Sequence, residues 1–167
     1  MTLGDRAWRA VAHAQANVVT RAQLTEHGAD ARFIRRRLNS GDWQAVGPRV
    51  VVTAPGALSQ DQRVRAAMCH PRGPAVLTAR KALTMAGLRG WDAGPIVILI
   101  GAEDRSGRIP LDDVIYVRSR RDLSGLTTQR GGLRITRVEP AALLLASAFA
   151  SGHWGERRWA RASGGIL

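Results

Sequence analysis

Two hydrophobic periods alternate along the first part of the chain and mark out its elements. From Asp5 to Ala16, Trp8, Val11, Ala12 and Gln15 recur at helical spacing and predict an amphipathic helix with Trp8 as its core anchor. Val18 and Val19 read as extended. Thr20 is an N-cap for a second helix through Arg21, Leu24 and Thr25 that stops at Gly28, and a turn of two or three residues separates it from a third. That third helix, Asp30 to Gly41, keeps Ala31, Ile34 and Leu38 at the i, i+3, i+7 spacing of a buried stripe. Arg32, Arg35, Arg36 and Asn39 gather within about a third of its circumference. Asp30 can cap its first turn, and Gly41 stands where a left-handed C-terminal cap is wanted.

After Gly41 the period changes to two. Asp42 to Val46 alternates, Gly47-Pro48-Arg49 supplies turn residues, and Val50 to Thr53 is a β-branched run, so a hairpin is expected. Helix, short turn, helix and then a hairpin is the layout of a winged helix-turn-helix, with Arg49 at the wing tip. The unit spans residues 1–53, and Ala54-Pro55-Gly56 reads as its boundary.

Residues 57–150 are expected to form a second domain of mixed type. Ser59 caps a helix over Gln60 to His70 with Val64 and Met68 inward, Pro71 to Pro74 breaks it, and Thr78 caps a helix that ends at Gly87. Strands are predicted at Ile96–Ile100, Val114–Arg118 and Leu133–Val138, the last after the Gly131-Gly132 turn. A final helix starts near Pro140 and carries Leu143, Leu144, Leu145 and Phe149. The expected class is therefore α+β, an N-terminal winged helix-turn-helix followed by a small mixed α/β domain. Residues 151–167 form a basic tail in which Trp154 and Trp159 interleave with Arg157, Arg158 and Arg161.

Charge sharpens this picture. The 167 residues carry 25 Lys and Arg against 13 Asp and Glu, a net charge of +12, and Lys81 is the only lysine. A twofold excess of cations implies an acidic partner, with nucleic acid first. No basic start followed by an apolar stretch opens the chain, and Ala141–Ala150 is about half the length a bilayer span needs, so a cytoplasmic protein without membrane contact is expected. Cys69 has no second cysteine to pair with and reads as a small buried hydrophobe.

Catalytic chemistry has little to stand on. His13, His27, His70 and His153 are scattered, no phosphate loop or nucleophile elbow occurs, and the carboxylate pair Asp112-Asp113 lacks a lysine partner. No enzyme, metal or cofactor is expected.

Five stretches carry a family resemblance. Val18-Val-Thr-Arg-Ala-Gln-Leu24, Ile34-Arg-Arg-Arg-Leu38 and Ser40-Gly-Asp-Trp-Gln44, followed by the weaker Leu77-Thr-Ala-Arg-Lys-Ala-Leu83 and Ile135-Thr-Arg-Val-Glu-Pro-Ala141, resemble the actinobacterial branch of the AbiEi-type antitoxin family. The chain departs from that pattern at Arg49, where the family wing has Gly, and at Ala79, Pro140 and Leu144, where it often has His, Arg and Asp. The resemblance implies a type IV toxin–antitoxin setting. In it the winged helix represses its own promoter and the second domain counters a nucleotidyltransferase-like toxin.

The residues themselves suggest how DNA would be held. The planar guanidinium fork matches O6 and N7 of guanine, so Arg32, Arg35, Arg36 and Asn39 are the expected base readers. Thr20, Arg21, Gln23, Arg37 and Arg49 are expected on the DNA backbone. One such unit reads few base pairs, so a repeat operator bound by a homodimer or by cooperative monomers is expected. The competing reading is a protein-interaction module that neutralises the toxin, with the winged helix mainly a scaffold.

Overall fold

The computed structural model describes residues 3–89, 94–107 and 109–150. The basic tail, with its tryptophans and arginines, lies outside the described residues. The fold is α+β, a region of helices and a small antiparallel sheet followed by a mixed five-stranded sheet with helices. Its elements fall into two compact units: residues up to Arg72 with Arg105–Pro110 make the first, and Gly73–Asp104 with the residues from Leu111 onward make the second.

The first unit opens with α1, Leu3–Ala14, which buries Trp8 and Ala12 as their helical spacing requires. It ends earlier than Ala16. Ala16 and Asn17 take left-handed backbone, φ +52° and +66°, and turn the chain into strand β1, Val18–Thr20. Helix α2, Arg21–Glu26, carries a full capping box: Thr20 Oγ1 accepts from Gln23 N–H at 3.1 Å, and Gln23 Oε1 accepts from Thr20 N–H at 2.9 Å. Residues His27–Asp30, four rather than two or three, lead to α3, Ala31–Asn39. Asp30 Oδ1 accepts from Phe33 N–H at 2.6 Å, and Gly41 has φ +77°, so both predicted caps form.

Strands β2, Gln44–Val46, and β3, Val50–Val52, pair antiparallel with Val46 opposite Val50. The extended Val18 and Val19 turn out to be a third strand of the same sheet. β1 pairs antiparallel with β3 in the order β1-β3-β2, which puts β3 in the centre and buries all three of its valines. Covered faces on both sides explain why β3 reads as an unbroken apolar run rather than an alternation.

The expected boundary at Ala54–Gly56 lies too early. Gln44 Nε2 donates to the carbonyls of Ala54 at 2.8 Å and Gly56 at 2.7 Å and ties this apparent linker to the first unit. Helix α4, Gln60–Cys69, begins at a Ser59 capping box, packs on β1 and β3, and reaches back through Gln62 Nε2 to the carbonyl of Ala16 at 3.1 Å. It belongs to the first unit.

The second unit is a five-stranded sheet of order β6-β5-β4-β8-β7, where β4 is Ala75–Thr78, β5 Ile96–Gly101, β6 Val114–Ser119, β7 Thr127–Arg130 and β8 Leu133–Thr136. β5 runs antiparallel to β4 and parallel to β6, while β8 runs parallel to β4 and antiparallel to β7. Helices α5, Ala79–Met85, and α6, Val138–Ala150, pack on each other, with α5 against β4, β5 and β8. Two strands escape the sequence reading: β4, hidden in the apolar step before Thr78, and β7, whose Thr-Thr-Gln-Arg sequence is polar because it is an edge. Thr78 does not cap α5. Its hydroxyl is buried and lies 3.0 Å from that of Thr136, the better use of a polar atom inside a sheet. The last helix starts at Val138, two positions before Pro140, which still sits in the first turn where its missing N–H costs nothing.

Left-handed backbone at an L-residue costs about 1 kcal/mol. Ala16 is only half-buried, so removing its methyl sacrifices little packing, whereas Ala79, at φ +54°, is buried and would lose contacts. Ala16→Gly is expected to raise stability by about 0.5–1 kcal/mol, read as a higher urea midpoint at unchanged m. Ala79→Gly is expected to gain less.

Candidate nucleic-acid interface

Helix α3 is held from one side by aromatic packing. Phe33 lies against Trp8 of α1, with centroids 6.1 Å apart, and edge-on to Trp43 at 5.5 Å, while Trp8 and Trp43 meet edge-on at 5.0 Å. Ile34 is buried behind them with Val19, Leu24, Ala29 and Val51. The sequence put Ala31 on this buried stripe. In the structure Ala31 is exposed and Phe33 takes the inward position, because a ring that can reach two tryptophans buries far more area than a methyl.

This packing turns Arg32, Arg35, Arg36 and Asn39 outward together. All four are exposed, and the side chains of Arg32, Arg35 and Asn39 have no hydrogen-bond or ion-pair partner among the described residues. Arg36 lays its guanidinium over the Phe33 ring at 5.6 Å from the centroid, which fixes its direction without neutralising it. A shallow groove of about 430 Å³ runs beside this face, walled by Trp8, Phe33, Arg32 and Arg36 and by the turn Gly28–Asp30.

The residues expected on a DNA backbone divide differently. Arg37 is engaged within the unit: its Nη1 is 2.7 Å from Asp42 Oδ2, its guanidinium lies near the Phe33 and Trp43 rings at 5.8 and 5.9 Å, and its carbonyl accepts from Trp43 N–H at 3.1 Å. It fixes the exit from α3 into β2. Arg21 is engaged too. Its Nε donates to the Pro48 carbonyl at 3.0 Å and its N–H to the Arg49 carbonyl at 2.8 Å, so it clamps the hairpin tip to α2. Thr20 and Gln23 spend their oxygens on each other in the capping box. Arg49 is half-buried at the tip, in a loop whose Gly47 rests against His70 and Pro110, at 3.4 and 3.2 Å from the position a Cβ would take. The hairpin is thus short and propped from behind. Its left-handed residue is Gly47, φ +75°, so Arg49 needs no unusual backbone.

Trp8, whose spacing marks it as a core anchor, and Phe33, which the predicted buried stripe left out, both wall this groove, and only the contact between α1 and α3 shows it. Among the described residues, no group of three metal-ligating side chains comes together, and no helix is long and apolar enough to cross a membrane. Cys69 is half-buried rather than fully so, and its burial raises the thiol pKa above the ordinary value despite Arg65 nearby. No protein-family model and no curated protein matches the chain.

Packing outweighs the ion pair in holding α3. The Arg37–Asp42 pair is half-exposed, and such pairs contribute about 1 kcal/mol or less. Asp42→Ala is therefore expected to cost under about 1 kcal/mol, and Trp43→Ala, which opens a cavity among three rings, about 3–5 kcal/mol. Equilibrium urea denaturation followed by far-ultraviolet circular dichroism separates the two; equal losses would make the ion pair the dominant restraint.

Proposed function

We propose that the first unit is a winged helix-turn-helix and that the protein is a sequence-specific, double-stranded-DNA-binding transcriptional regulator, an autorepressing antitoxin of the AbiEi type. One observation carries this reading: a helix locked by aromatic packing on its inner side presents Arg32, Arg35, Arg36 and Asn39 outward as one polar, cationic surface. A net charge of +12 supports the choice of a polyanion. Duplex DNA suits a single convex helix because the major groove admits one α-helix and displays a distinct pattern at each base pair.

In this reading α3 enters the major groove and the hairpin approaches the neighbouring backbone. Arg49 is the tip residue that meets phosphate; Arg21, Thr20 and Gln23 act through geometry, by holding α2 and the tip in register. The reading extends to a repeat operator in the protein's own promoter, bound by two copies. No cofactor, metal or catalytic step enters the mechanism.

A second reading has its own support. Leu143 on α6 is 71% exposed, with Leu126 and Val138 also exposed, and such side chains suit a protein partner such as a nucleotidyltransferase-like toxin. The two functions reside in different units and are compatible.

Fluorescence anisotropy on the protein's own upstream region and on a scrambled duplex, each at two salt concentrations, tests the DNA reading. The parent is expected to prefer the upstream duplex by at least about tenfold. Arg35→Ala should remove most of that preference, whereas Arg49→Ala should weaken both duplexes alike and lower the slope of log K against log salt by about 0.9. Equal affinity of the parent for the two duplexes would overturn sequence-specific binding.

A further inference from the structure

The groove beside α3 divides its polar face into two pairs. Arg32 and Arg36, one helical turn apart, wall the groove with Trp8 and Phe33; Arg35 and Asn39, the other pair at the same spacing, do not touch it. Resting on the reading of α3 as a DNA-contacting helix, we propose that Arg32 and Arg36 grip a backbone phosphodiester in this groove and that Arg35 and Asn39 read the bases.

Three features of the groove carry the assignment. First, it offers two cations, Arg32 and Arg36, within one turn of helix. Asp30 also lines the groove, but its Oδ1 is engaged by the Phe33 N–H at 2.6 Å, and the two guanidiniums outweigh its single charge. Second, the stacking of Arg36 on Phe33 lays that side chain along the helix surface. A guanidinium held this way keeps its N–H edge for an oxygen at the groove mouth and loses the reach that a base edge deep in the major groove requires. Third, Arg35 and Asn39 have no partner among the described residues and can extend fully from the helix. Their chemistry is complementary: an arginine fork for guanine and an amide for adenine. Phosphate contacts fix register and carry no sequence information, so half of the cationic face would position the helix while the other half discriminates.

The test measures anisotropy at several salt concentrations for the parent and for Arg32→Ala, Arg36→Ala, Arg36→Lys, Arg35→Ala and Asn39→Ala. The duplexes are the upstream sequence and a set carrying single base-pair changes, and thermal melts establish that each variant is folded. Arg32→Ala and Arg36→Ala are expected to weaken every duplex by one common factor and to lower the salt slope by about 0.9 each. Arg36→Lys should restore the slope, because an ammonium serves a phosphate. Arg35→Ala and Asn39→Ala should instead level the ranking of the duplexes at nearly constant slope. A changed ranking in Arg32→Ala or Arg36→Ala at constant slope overturns the division of labour. If the parent itself ranks no duplex above another, the failure lies with the DNA reading. A final arm adds adenosine monophosphate: nucleotide binding near about 1 mM that is lost in Arg32→Ala yet leaves the duplex bound would give the groove to a free nucleotide and overturn the phosphodiester assignment.

Discussion

The Phe33 ring, set between Trp8 and Trp43, determines which way α3 faces. A helix presents a new side chain about every 100°, so a roll of one residue would swing its polar face by that angle and carry Arg32 and its neighbours away from their outward direction. Three rings in mutual contact allow no such roll. Trp8 arrives from α1, Phe33 from α3 and Trp43 from the residue just before β2, so one cluster joins the three parts of the first unit that must agree. The Trp43 N–H to Arg37 carbonyl bond then fixes where the hairpin leaves the helix. The outward position of the arginines follows from this contact rather than from any attraction of their own.

The helices were legible in the sequence because their ends are chemically marked. Thr20, Asp30 and Ser59 each accept a hydrogen bond from the backbone of the first turn, and a residue able to do this before a periodic run is a strong local signal. Thr78 shows the limit of the same rule. It stands before a helix, but its hydroxyl is drawn to Thr136 from a strand far along the chain, a partner that no local window contains. Strand β7 is missed for a related reason: an edge strand that buries no side chain need not alternate, and only its pairing with β8 makes it a strand.

The domain boundary illustrates how a turn signal differs from a linker. Ala54-Pro55-Gly56 has the composition of a hinge, and nothing in that composition reveals the two carbonyls that Gln44 holds. The polar face of α3 was readable from spacing alone, as were Ile34 and Leu38 on its inner stripe; Ala31 was not, because volume decided between it and Phe33, and periodicity does not weigh volume. The division of the expected backbone contacts between free and engaged residues was likewise beyond pattern reading. It depends on who is near whom: Arg21 and Arg37 have partners, Pro48 and Asp42, that helical or strand period does not supply.

Arg21 holds the hairpin tip through main-chain carbonyls, those of Pro48 and Arg49. Main-chain acceptors are the same whatever side chain they carry. The shape of the loop is thereby uncoupled from the chemistry of its outermost residue, and position 49 can change in charge or size while the loop keeps its path. The hairpin is built so that its outermost residue can vary independently of its fold.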